Sequence, residues 1–194
     1  MATDEWRVST AAAAGFEAVQ QVFGSRGPAT LCHCQRYQLA PGESFAALGA
    51  EELAFRLRSE IVGDPGPGLV GILAGIPVAW CATQPRSQYR GLLRTFRVPW
   101  EGRDEDRADR SVWAVTCFVT RAGHRRRGYA GRLLGAAVSH ARDHGARAVE
   151  GYPILTTQVI TEELHVGTIG MFLRAGFAEV SRPTVRRAVA RIDF

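Results

Sequence analysis

A chain of 194 residues, 46% hydrophobic and 22% charged, can bury one full core, so residues 1–194 read as a single domain with at most one large insertion. A formal charge of +5 and a pI near 9.5 suggest an anionic partner, but all 24 basic residues are arginine and none is lysine. That is a compositional bias rather than the mixed basic clusters of a nucleic-acid surface, so an anionic small molecule is expected and nucleic acid is not.

Four cysteines, Cys32, Cys34, Cys81 and Cys117, are too few and too unevenly spaced for a disulfide framework and read as reduced thiols. Met1 to Trp6 carries no basic-then-apolar leader, and no apolar run reaches the roughly 18 residues of a membrane span. A cytoplasmic protein without a membrane partner is expected.

Along the chain, Thr10 to Val22 has helical spacing, with Thr10 as cap and Gly24 as stop. A loop holding Gly27-Pro28 and Leu31-Cys32-His33-Cys34 leads to a second helix over Ser44 to Ser59, ended by Asp64-Pro65-Gly66-Pro67-Gly68. Leu69 to Ala74 and Val78 to Thr83 flank Gly75-Ile76-Pro77 as a β-hairpin. Residues 85–110, rich in arginine and carrying Tyr89, Phe96 and Trp100, read as a partly helical lid or a flexible insertion. Val112 to Thr120 is almost continuously apolar, as a strand covered on both faces requires, and is expected at the centre of the sheet.

The clearest helix follows, with Ala130, Leu133, Leu134, Ala137, Val138 and Ala141 in one stripe and Gly145 closing it. Ala146 to Tyr152 reads as a strand stopped by Pro153. Glu162 to Ala175 reads as a helix closed by Gly176, and Phe177 to Val180 and Val185 to Ile192 as terminal strands.

Strand, arginine- and glycine-rich turn, then helix builds an anion site, because the first helical N–H groups lack internal partners and the helix dipole is positive there. Arg125, Arg126 and Arg127 add charge-assisted donors, Gly128 permits close backbone approach, and Ala130 and Gly131 keep the helix start uncrowded. The same residues also fit a solvated basic turn before an ordinary helix. A Walker A loop is excluded by the missing lysine, and Gly-x-Gly-x-x-Gly is absent near an N-terminal strand.

Arg125-Arg126-Arg127-Gly128-Tyr129-Ala130 resembles the Gln/Arg-x-x-Gly-x-Gly/Ala motif of the GNAT superfamily of N-acetyltransferases. The resemblance extends from Trp113 through the long helix to Phe172-Leu173-Arg174-Ala175-Gly176-Phe177. It implies a mixed α/β fold whose central, mostly antiparallel sheet has splayed central strands and is flanked by helices on both faces. It also implies acetyl-CoA as co-substrate, with no metal. Arg125 to Gly131, Tyr129 included, would hold the pyrophosphate, and Phe118, Val119 and Thr120 would pair with the pantetheine arm. Homodimers are frequent in that family, so a homodimer is a further expectation.

An amine acceptor, with a pKa near about 10.4, must lose a proton before attacking the thioester, and the developing oxyanion needs a donor such as a free N–H near Phe118 or Val119. The family's proton-handling positions differ here. Phe172 replaces a tyrosine that protonates the leaving thiolate, His165 replaces an asparagine and is a candidate cofactor contact, and Ala114 falls where some relatives carry a glutamate. Glu150, embedded in an apolar strand, is then the candidate base or the partner of an arginine. Tyr152 is the candidate donor to the thiolate or binder of substrate, or merely ends the strand.

Cys32-His33-Cys34 would bring two thiols to one face of an extended segment, yet no further Cys or His pair completes a zinc site, so the segment lines the acceptor side or packs. The expected function is acetyl transfer from acetyl-CoA to a primary amine of a small molecule or protein. The alternative is an acyl-CoA-binding sensor with little turnover.

Overall fold

The computed structural model describes residues 5–94 and 97–194; Met1 to Asp4 and Phe96 of the sequence reading lie outside the described residues. The chain opens with strand β1 (Trp6–Thr10), where the sequence pattern indicated no element. Thr10 then caps α1 (Ala11–Ala14), its side chain accepting the Ala13 N–H at 3.2 Å. The expected single helix is broken by Gly15 at φ 83°, a left-handed position that restarts the chain as α2 (Phe16–Phe23).

After α3 (Pro28–Cys32), His33 and Cys34 adopt left-handed conformations, φ 42° and 55°. They form a tight corner, not the extended segment expected, and the two thiols do not lie along one strand face. Ser44 caps α4 (Phe45–Ile61), whose Leu53, Leu57 and Ile61 are buried four residues apart along one side.

The hairpin forms from β2 (Gly68–Leu73) and β3 (Ile76–Pro85). Residues 85–110, expected as a lid or flexible insertion, start with a 3-10 turn and α5 (Arg90–Arg94) and are fastened to the body. Tyr89, Leu92 and Trp100 are buried, Trp100 Nε1 donates to the Leu92 carbonyl at 2.9 Å, and Arg86 and Arg107 both stack on the Trp100 ring.

Then follow β4 (Val112–Thr120), α6 (Tyr129–Asp143), β5 (Ala148–Gly151), α7 (Ile169–Arg174), β6 (Ala178–Thr184) and β7 (Arg187–Asp193). The helix expected over Glu162 to Ala175 is shorter. Thr161–Val166 is a 3-10 turn, and Gly167 at φ 77° interrupts it, with no space for a Cβ beside the Met171, Phe172 and Phe118 side chains.

The seven strands form one sheet in the order β1-β2-β3-β4-β5-β7-β6, antiparallel except for β4 against β5. As expected, β4 is central. On one face α6 and α7 pack over Val115, Phe118 and Val149; on the other α2 and α4 pack over Val70, Trp80 and Cys117. The β4–β5 pairing ends at Val115–Gly151, so the remainder of β4, Thr116 to Thr120, has no partner on that side. The β3–β4 register slips at the same level, leaving Thr116 as an extra residue between Val115 and Cys117. A β-bulge bends and twists its strand, and here it sits where the two central strands part.

Phe172 packs at the parting. Its ring is fully buried against the end of β5, so close that a Cβ on Gly151 would stand 2.1 Å from Phe172 Cε1, and it meets Phe118 edge-on. Among the described residues no helix is long and apolar enough to cross a membrane.

Candidate functional site

At the open end of β4 the chain turns sharply. Arg126 and Gly128 both take left-handed backbone, φ 61° and 80°, and Gly128 leads directly into α6. Among the described residues no side chain caps α6 and its first turn holds no acidic residue, so its leading N–H groups are unspent donors at the positive end of a 15-residue dipole. A cavity of about 570 Å³ opens there. Thr120, Arg126, Arg127, Gly128, Tyr129, Ala130 and Gly131 form one wall, and Thr168, Met171 and Arg174 of the α7 region form the other.

The cavity therefore gathers seven of the twelve coenzyme-side candidates read from the sequence and leaves Phe118, Val119, Arg125, His165 and Phe172 outside its wall. Arg125 lies back along the turn, its Nε 3.4 Å from the Thr120 carbonyl. Phe118 is in the core beside Phe172, and Val119 packs toward α2. The Tyr129 ring itself stacks on Trp6, with centroids 4.9 Å apart and planes 3° from parallel, which pins the start of α6 to β1.

The sequence reading missed His124, Thr168, Met171 and Arg174. His124 lies on the cavity wall with Nδ1 buried and, among the described residues, without a hydrogen-bond partner. Thr168, Met171 and Arg174 recur every three residues, a spacing that marks one side of a helix but not what it faces.

His165 lies on a different side. Its ring stands 6.4 Å from that of Tyr37, Nδ1 is 2.6 Å from the Glu162 carbonyl, and Nε2 is buried without a partner among the described residues. Burial is the main cause that brings its pKa down to about 4, aided by the nearby Arg36 and Arg187 charges.

Glu150 is completely buried and both its oxygens are occupied by guanidinium donors. Oε1 accepts from Arg103 and, at 2.8 Å, from Arg191; Oε2 accepts from Arg86 at 3.1 Å and Arg103 at 3.2 Å. Glu105 bridges the same three arginines. Tyr152, also buried, donates its hydroxyl to Glu150 Oε2 at 3.3 Å, and burial followed by the Glu150 charge pushes that phenol well above its ordinary range.

The Cys-His-Cys corner packs. Cys34 Sγ accepts from Trp80 Nε1 at 3.0 Å, and Gln20 Nε2 approaches His33 Nδ1 at 3.3 Å. All four cysteines are free thiols, and burial raises Cys32 and Cys81. Among the described residues no group of three or more His, Cys, Asp or Glu side chains gathers to hold a metal ion.

On the opposite face of the sheet a second cavity, also about 570 Å³, lies between α4, residues 35–43 and the end of β3. Gln35, Glu60, Gln84, Gln88 and Arg90 contribute to it.

A mixed sheet parted at its centre, with an uncapped and arginine-flanked helix start beside the parting, defines a mixed α/β fold with a cavity at that helix start. The profile of the Acetyltransferase (GNAT) family matches residues 42–177, more than half of the chain, and the chain belongs to that family.

Among solved structures, an N-acetyltransferase from Staphylococcus aureus Mu50 is similar at TM-score 0.56 and 14% identity, over 97% of this chain and 98% of that one. PaiA N-acetyltransferase from Thermoplasma acidophilum, in complex with coenzyme A, matches at TM-score 0.56 and 8% identity, over 98% and 99%. YncA from Salmonella typhimurium, with its cofactor acetyl-CoA, matches at TM-score 0.53 and 13% identity, over 97% and 93%. At these identities the likeness is one of fold. No curated protein sequence matches the chain.

Proposed function

We propose that the chain transfers the acetyl group of acetyl-CoA to a primary amine. The observation that carries this reading is the uncapped start of α6 beneath Arg126, Arg127 and Gly128, set at the mouth of the gap between β4 and β5. The family and the coenzyme named with two of the structural neighbours support it.

The N–H groups of Gly128 to Gly131 and the guanidinium groups of Arg126 and Arg127 would hold the pyrophosphate, while Arg125 steadies the turn through the Thr120 carbonyl. Phe118, Val119 and Thr120, unpaired on the β5 side, would offer backbone partners to the pantetheine arm. When bound, acetyl-CoA supplies the activated acyl carbon. The bulge at Thr116 brings strand N–H groups out of register with β3, where one can stabilise negative charge on the thioester oxygen. The ammonium first gives one proton to water; the freed nitrogen lone pair forms the N–C bond, the C–S bond breaks with its electron pair leaving on the coenzyme thiolate, and the remaining surplus proton on nitrogen passes to water.

Phe172 cannot protonate the thiolate. With an ordinary thiol pKa of about 8.5, that group can leave as the anion at modest cost. Glu150 we assign to fastening the 85–110 segment to β5 and β7, because its lone pairs are already taken by three arginines and by Tyr152. Tyr152 completes that network. His165, held by Glu162 beside Tyr37, we place on the acceptor side and not on the coenzyme. Four free thiols fit a reducing compartment such as the cytoplasm.

Calorimetry with acetyl-CoA, followed by thiol release with a panel of amines, tests the reading. Binding and amine-dependent release are expected. Binding with no release for any amine would instead favour the acyl-CoA sensor, the reading that Phe172 and Ala114 support.

A further inference from the structure

We propose that the second cavity seats the acceptor and selects a small hydrophilic amine, held as its ammonium ion by Glu60 and Gln35 and through a hydroxyl or carbonyl oxygen by Gln84. This deepens the acetyltransferase reading and rests on it for the chemistry that follows binding.

Two buried amides, Gln35 and Gln84, and one half-buried carboxylate, Glu60, carry the argument. Glu60 accepts one hydrogen bond, from Gln35 Nε2 at 3.0 Å, and among the described residues it has no guanidinium partner. That is unusual in an arginine-rich protein whose neighbouring carboxylate Glu43 is paired with Arg56 at 2.9 Å. Gln35 is 1% exposed with Oε1 unpartnered, and Gln84 is 5% exposed with Nε2 unpartnered. A buried polar atom without a partner is costly, and two of them on the wall of one cavity mark where a ligand would complete the bonding. An ammonium group has three N–H donors to offer Glu60 and Gln35 Oε1; an oxygen on the same molecule would accept from Gln84.

Charge agrees with this. On the cavity wall Arg56 is paired with Glu43 and Asp64 is exposed, which leaves Glu60 as the half-buried carboxylate without an ion-pair partner among the described residues, with the Arg56 and Arg90 charges acting on it from further off. Burial raises the Glu60 carboxyl above its usual range, a cost that a bound cation would offset. The volume, about 570 Å³, suits a small molecule rather than a polypeptide groove.

The position also fits. Gln84 lies directly across from Ala114 on β4, two residues before the Thr116 bulge, a separation of about 7 Å along an extended strand. Tyr89, next in sequence to Gln88 of the wall, has its hydroxyl buried alongside Thr116. The cavity therefore reaches the sheet at the end of β3, on the face away from α6 and one strand over from the last β4–β5 pairs, Ala114–Glu150 and Val115–Gly151.

Calorimetry and thiol-release kinetics with D-glucosamine, as a hydroxylated amine, and n-hexylamine, as an apolar amine of similar length, test the proposal. Glucosamine is expected to bind and to react with at least tenfold higher kcat/KM than hexylamine. Glu60→Gln and, separately, Gln84→Met are expected to raise its Kd and KM at least tenfold and threefold, with the acetyl-CoA Kd within twofold of native. Equal use of hexylamine, or unchanged glucosamine binding in both variants, would overturn the proposal. Glu60-dependent glucosamine binding without acetyl transfer would uphold the acceptor site and defeat the acetyltransferase reading instead. Acetyl-CoA-dependent acetylation of hexylamine with no glucosamine binding would do the reverse.

Discussion

The face of the sheet that carries α6 and α7 and the face that carries α2 and α4 hold cavities of equal volume, about 570 Å³, but they are built by different means. The first is made by backbone: an uncapped helix start, two left-handed residues and strand edges left unpaired beyond Val115. The second is made by side chains brought together from distant parts of the chain, with Gln35, Glu60 and Gln84 on three separate elements. A backbone site recognises a ligand shared by many proteins and needs only a short local pattern. A side-chain site sets an individual preference and depends on the whole fold to align it.

That contrast can be broken most forcefully beneath the second face, in the arginine network. Glu150→Ala leaves Arg86 and Arg103 with Glu105 as their carboxylate partner and Arg191 with Glu105 and Asp193, and removing one partner of a buried ion cluster costs about 3–5 kcal/mol. A large drop in the chemical-denaturation midpoint is expected, with the surviving folded fraction keeping its specific activity. A native midpoint with turnover abolished would instead make Glu150 a catalytic base.

A smaller effect is expected at the parting of the strands. Gly151→Ala drives a methyl into the Phe172 ring, and overpacking of this kind costs about 1–3 kcal/mol. The loss should be accompanied by weaker acetyl-CoA binding, because the ring must move into the gap. Unchanged coenzyme affinity would show that Phe172 does not set the width of the opening.

A pH experiment sharpens the second face further. His165 has a folded pKa of about 4 against an ordinary value near 6.5, so the unfolded chain takes up a proton first as pH falls. Stability conferred by the neutral ring is complete above about pH 6.5 and is lost as pH drops toward 4. Between pH 7 and 5 the loss should be about 1–2 kcal/mol after allowance for its partial exposure. His33 and His140, also lowered mainly by burial, act in the same direction. His165→Gln should flatten part of this slope in denaturant titrations; an unaltered slope would place the sensitivity elsewhere.

These differences explain what could be read from the chain alone. The cavity at the start of α6 was legible because Thr120 and Arg126 to Gly131 lie close together in sequence and the helix behind them repeats its apolar stripe cleanly. The central strand was legible from its unbroken apolar run. Helix breaks at Gly15 and Gly167 were not, since apolar periodicity runs on across a residue whose positive φ redirects the backbone. Nor was β1, whose five residues Trp6–Thr10 are fixed by pairing with β2 and by the ring of Trp6 lying over Gly71, a glycine 65 positions later. Glu150 showed itself as a charge in an apolar strand, but its partners Arg86, Arg103 and Arg191 lie 64, 47 and 41 residues away, and only folding tells which of 24 arginines answers it.

The most direct test of the coenzyme site compares native protein with the Arg126→Ala, Arg127→Ala double variant in the same thiol-release assay, varying acetyl-CoA at fixed amine. If α6 and its turn hold the pyrophosphate, KM for acetyl-CoA should rise at least tenfold, about 1.4 kcal/mol, and more at low salt, while KM for the amine stays within twofold. An unchanged KM for acetyl-CoA would contradict the account.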